Sequence, residues 1–91
     1  MNEPVLQLNK YTVVNEVEED YIAYSLLSNE MVLLHPLTKA ILDLLERPMN
    51  LFQLIEKLET TFENENELDV FVYNAVQELL IRGFVSEGWV L

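Results

Sequence analysis

The chain has 91 residues, 51% of them hydrophobic, which makes one small domain with one core and is too apolar for a disordered tail. Sixteen acids stand against five cations (Lys10, Lys39, Arg47, Lys57 and Arg82), and the net charge of −11 repels phosphate, which argues against nucleic acid as a partner. No cysteine is present, which excludes disulfides and thiolate metal sites, and no apolar run approaches the ~20 residues that cross a bilayer, so no membrane partner is expected. The start of the chain, Met1 to Pro4, is acidic and lacks the charged-then-apolar pattern of a secretion signal; the expected location is the cytoplasm.

Residues 1–91 read as a single domain. Residues 1–10 carry little pattern and are expected to be loose, although Leu6 and Leu8 are apolar enough to pair with a sheet. Tyr11 to Glu16 is rich in β-branched and aromatic residues and predicts a first strand. Glu16, Glu18, Glu19 and Asp20 crowd the following turn. Tyr21 to Leu26 predicts a second strand, Ser28 and Asn29 a turn, and Glu30 to Leu34 a third strand, so the three form an antiparallel meander. Met31 to Leu34 is apolar at every position, as suits a strand with something to cover on both faces.

At Pro36 the period changes. Proline is best tolerated at the first helical position, and Leu37, Ile41, Leu44 and Leu45 then recur at helical spacing. Arg47 and Pro48 stop this first helix. Asn50 is a good N-cap for a second, with Gln53 closing a capping box and Leu51, Leu54, Ile55, Leu58 and Phe62 as the buried stripe. After a polar break at residues 63–66, a third helix is expected from about Glu67 to Arg82, with Gly83 as its left-handed cap. Residues 84–91 suit a short hairpin or a loose terminal strand. The expected fold is α+β, an N-terminal three-stranded antiparallel sheet followed by three helices.

Helix three is the informative one. Leu68, Val72, Ala75, Val76 and Leu79 share a core face, yet Val70, Phe71, Tyr73, Leu80 and Ile81 fall outside it. Packing against one layer needs an apolar arc of only ~100°. The surplus means either a second packed layer or a groove for an apolar partner segment, with Tyr73 and Leu80 on one flank.

Catalytic signals are lacking. His35 is the one histidine, and its position before Pro36 suits a helix cap better than a metal or an acid–base role. Glu63, Glu65, Glu67 and Asp69 alternate like a calcium loop but lack its glycine and closing glutamate; acids at a helix start suit the dipole instead. Two glycines, Gly83 and Gly88, do not build a phosphate loop, and Ser25 and Ser28 have no base in the pattern. The chain reads as a binding module without a cofactor, not an enzyme.

Three stretches together are familiar. Asn50 to Phe62, with its capping residue, apolar pair, leucine and closing phenylalanine, resembles the second helix of the PqqD family, the peptide chaperones of pyrroloquinoline-quinone biosynthesis. Val76 to Val85, with Gly83 and the apolar pair behind it, resembles that family's final helix. Val32 to Leu42 resembles its strand-to-helix junction, although His35 stands where the family often has Asn, and Arg47 and Pro48 where it often has Gly.

The resemblance spans residues 11–85. It implies a winged helix-turn-helix-like RiPP recognition element, which binds the leader segment of a ribosomally made precursor peptide. Such a leader adds as an antiparallel strand beside the third strand, and its apolar side chains enter the cleft against helix three. The implied second partner is a modifying enzyme: a radical-SAM enzyme, a cyclase or a leader protease. Carried onto this sequence, Glu30, Met31, Val32, Leu33 and Leu34 supply the pairing edge. Tyr73, Val76, Gln77 and Leu80 line the cleft, and Asp69 flanks it where a basic leader residue would be favoured. A winged-helix DNA regulator and a homodimeric protein–protein adaptor remain as alternatives; the charge weighs against the first.

Overall fold

A computed structural model describes residues 4–63 and 66–89. Five strands and three helices follow in the order β1 (Pro4–Leu8), β2 (Thr12–Val17), β3 (Asp20–Ser25), β4 (Met31–Leu34), α1 (Pro36–Leu44), α2 (Leu51–Thr61), α3 (Leu68–Ile81) and β5 (Val85–Trp89). The chain is α+β. The expected meander is present as the antiparallel sheet β2-β3-β4, so the third strand of the sequence reading is β4. The acidic turn is tighter than expected: Val17 already pairs with Asp20, which leaves only Glu18 and Glu19 to turn the chain.

The N-terminal residues correct the expectation of a loose start. Pro4–Leu8 is a strand paired antiparallel with Val85–Trp89, so the C-terminal segment forms neither a hairpin nor a free strand. Leu6 is buried, and its backbone exchanges hydrogen bonds with Met49, while the Leu8 N–H donates to the Leu45 carbonyl at 2.7 Å. β1 is thus held from both sides, by β5 and by the segment that joins α1 to α2. Its partners lie some forty and eighty residues away, and local pattern carries no signal at that distance. Residues 1–3 lie outside the described residues.

Caps mark the starts of α1 and α2 and the end of α3. His35 N-caps α1: its Nδ1 accepts from the Leu37 N–H at 3.1 Å, and Pro36 follows at the first helical position. Asn50 and Gln53 make the full reciprocal capping box on α2, at 2.8 and 3.0 Å. Gly83 takes a left-handed φ of 82° after α3. There Gly83 N–H reaches Leu80 and Phe84 N–H reaches Leu79, the paired bonds of a Schellman motif. Phe84, next in the chain, is fully buried.

The core lies between the helices and the inner face of the three-stranded sheet. Leu37, Ile41, Leu42 and Leu45 of the α1 segment meet Leu54 and Leu58 of α2 and Leu68, Val72, Val76 and Leu79 of α3. Ala23 and Leu34 close it from the sheet, Leu6 and Val85 from the ribbon. Buried Ser25 uses its hydroxyl to accept from the Leu27 and Ser28 N–H groups, a turn role. Gly83→Ala is expected to destabilise by about 1–2 kcal/mol in urea unfolding, because the left-handed φ penalises any Cβ although nothing lies in its way.

Candidate functional site

The third helix leaves part of its apolar surface uncovered. Val70, Phe71, Tyr73 and Ile81 are exposed, so a second packed layer does not account for the surplus there. Between α3 and β4 lies a groove of about 260 Å³, lined by Val32, Leu33, Leu34, His35, Thr38, Ala75, Glu78, Leu79 and Arg82. Ala75, Glu78, Leu79 and Arg82 recur at helical spacing and form its α3 wall. At the Leu34 end, the rings of His35 and Phe71 stand 5.5 Å apart. At the Glu30 end, Arg82 bridges two carboxylates: Nε to Glu78 at 2.7 Å and Nη1 to Glu30 at 3.5 Å. The Glu78 hydrogen bond and charge, followed by the charge of Glu30, hold the Arg82 guanidinium above its ordinary pKa.

β4 is the edge strand of its sheet. Which backbone groups it leaves open follows from the ladder. Ser25 N–H donates to the Glu30 carbonyl, while Leu26 N–H points the other way, to Tyr11. In antiparallel pairing a residue's N–H and C=O point to the same neighbour, and successive residues alternate. Ala23 and Tyr21 therefore bond Val32 and Leu34, their register partners. The N–H and C=O of Met31 and Leu33 point outward, and among the described residues no backbone group meets them. Their side chains lie on the sheet's outer face, 63% and 68% exposed, while Leu34 turns into the core.

The structure divides the expected site residues. Val32, Leu33 and Leu34 line the groove, Glu30 stands at its end, and Met31 contributes edge backbone, its side chain pointing away from the core. The expected residues of α3 do not join them. Val76 is core, Leu80 is half-buried against the core, and Tyr73, Gln77 and Asp69 are exposed. None of the five lines the groove. Successive residues turn 100°, which puts Asp69, Tyr73, Gln77 and Leu80 on the flank of α3 opposite Phe71, Ala75, Glu78 and Arg82. Helical spacing reveals both flanks but not which one faces β4.

Two other hollows lie away from β4, one of them an apolar hollow of about 370 Å³ between Pro4 and Leu51, Phe52 and Ile55. A wider hollow of about 860 Å³ beside the α1–α2 connection mixes Arg47, Glu56 and Lys57 with Gln53, Thr60 and Thr61, and it borders no strand edge. Among the described residues no three His, Asp or Glu side chains gather as a metal site; Glu65 lies outside them. No helix is long and apolar enough to cross a membrane. The chain matches no family model, no curated protein and no solved structure, so what the groove accepts must be read from its own geometry.

The two central β4 residues should respond differently to proline. Leu33→Pro deletes only an outward N–H, which an edge strand tolerates, whereas Val32→Pro deletes a bond of the β3–β4 ladder. Urea unfolding is expected to show Val32→Pro less stable than Leu33→Pro by about 1–3 kcal/mol; the reverse order would mean that the ladder runs in the other phase.

Proposed function

We propose that this chain is a peptide-binding module that takes the leader segment of a ribosomally made precursor as an added strand beside β4 and presents it to a modifying enzyme. The observation that carries the reading is the coincidence of two features. Met31 and Leu33 offer backbone donors and acceptors along an open edge, and an apolar groove lies directly behind that edge. The resemblance of Val32–Leu42, Asn50–Phe62 and Val76–Val85 to the PqqD family supports the same reading, as does the likeness of the α1–α3 order, followed by the β1–β5 ribbon, to a winged helix-turn-helix.

The energetics decide what the guest must bring. Each edge hydrogen bond contributes about 0.5–1.5 kcal/mol net, and the four open groups do not distinguish one sequence from another. Each apolar side chain that leaves water for the groove contributes about 1.5–3 kcal/mol. Association and ordering of a flexible peptide cost a comparable sum. A guest that fills the groove with one side chain is therefore held weakly, and one that fills it with two is held usefully. Glu30 and Arg82 are both substantially exposed, so loosening their contact to admit the guest costs little.

DNA fits this surface poorly. The outward face of α3 presents Val70, Tyr73, Gln77 and Ile81, and Arg82 is already shared by two carboxylates. Self-association is favoured by one observation: Val13, Met31 and Leu33 are exposed together on the outer face of the three-stranded sheet. Sedimentation over a concentration series would show that dimer.

The decisive experiment is amide NMR of the labelled protein titrated with a synthetic precursor leader encoded next to this gene. The expected shifts fall on Met31 to Leu34 and on Ala75 to Arg82, and Leu33→Pro is expected to weaken binding about two- to tenfold while leaving the spectrum folded. Shifts confined to other elements would overturn strand addition at β4.

A further inference from the structure

We infer that the guest strand is apolar on both of its faces over β4 and carries a lysine or arginine immediately after that apolar stretch, seated between Glu30 and Glu78. This deepens the reading of β4 as a strand-addition site and rests on it.

Side-chain alternation sets the first half. Guest residues opposite Val32 and Leu34 share their face and enter the groove, where Ala75 and Leu79 receive them. Guest residues opposite Met31 and Leu33 lie on the outer face instead. An ordinary one-sided sheet is polar there. Here Met31 and Leu33 are exposed, and their cross-strand partners are Tyr24 and Ile22. A guest residue on that face adjoins the exposed Met31 and Leu33 side chains, so both sets of guest side chains gain by being apolar.

Direction and charge set the second half. A strand antiparallel to β4 passes Leu34 first and Glu30 last. The guest residue opposite Glu30 shares the parity of Val32 and Leu34, so its side chain falls on the groove side, beside Glu30, Glu78 and Arg82. Those three groups sum to one net negative charge. Arg82 is the only Lys or Arg among the residues lining the groove, and its stronger bond is to Glu78. Glu30, held at the longer distance, is the carboxylate best able to turn to a guest cation without breaking that bond. A guest carboxylate would have to displace one of two acids already on Arg82, and it would enter the field of a chain with net charge −11.

The test uses capped synthetic peptides with polar flanks and one apolar tetrad (Val, Leu, Val, Leu), followed by Lys, Gln or Glu. A fourth peptide carries the lysine before the tetrad. Affinities and amide shifts are measured on the full chain at low and at high salt. The Lys peptide is expected to bind about three- to tenfold tighter than the Glu peptide at low salt, with Gln between them and the gap shrinking at high salt. The peptide with the leading lysine should bind no better than the Gln peptide, and Glu30→Gln, at an exposed position, should narrow the gap. Equal affinities, or tighter binding of the Glu peptide, with shifts still on β4, would overturn the cation and leave strand addition standing. Absence of β4 shifts with all four peptides would overturn both.

Discussion

Everything about the proposed site depends on the phase of one hydrogen-bond ladder. Because Val32 and Leu34 face β3 with their backbone groups, Met31 and Leu33 must face outward with theirs. The same alternation, turned by a right angle, sends the Leu34 side chain into the core and the Met31 and Leu33 side chains to the outer face. A shift of one residue would exchange both sets, exposing Leu34 and burying its neighbours. The buried Leu34 and Ala23, together with the Ser25–Glu30 bond at the turn, hold the register that leaves the edge open.

Among the described residues, the rest of the chain leaves this edge unpaired. β5 returns alongside the helices but pairs with β1, away from β4, and forms a separate ribbon. β1 is occupied on its other side by Met49 and Leu45. The connection from β4 to α1 is a single residue, His35, whose imidazole caps the helix and whose ring meets Phe71 at the groove's end. The strand therefore stops after four residues, and α1 begins directly after His35.

Local chemistry was legible in the sequence and long-range geometry was not. His35–Pro36, Asn50 with Gln53, and Gly83 each announce a helix boundary through their own hydrogen bonding or backbone freedom, and each stands where it was expected. Strands β2 to β4 follow from β-branched and aromatic runs joined by short turns. The pairing of Pro4–Leu8 with Val85–Trp89 depends on residues at opposite ends of the chain, and the weak pattern at either end suggests nothing about the other. The same limit applies to α3. Apolar periodicity showed that α3 has more greasy surface than its core face needs, but a helix carries no mark of which flank its neighbour occupies. Tyr73 and Leu80, seven residues apart, share the far flank; the groove is walled by small Ala75 and charged Glu78 and Arg82.

An open, apolar edge strand is a hazard as well as a site, since it templates pairing with another copy. Proteins usually blunt such an edge with an inward lysine, a proline or a bulge, and Met31–Leu34 has none of these. The charges that oppose such pairing lie outside the strand. Glu30 stands at one end, and the carboxylates of Glu16, Glu18, Glu19 and Asp20 crowd the tip of the β2–β3 hairpin on the same sheet. Two copies meeting edge to edge bring two chains of net charge −11 together, which opposes their approach over a Debye length of about 8–10 Å. A cationic or neutral peptide meets no such barrier. The surplus of acids that weighs against nucleic acid thus also opposes edge-to-edge pairing of two copies.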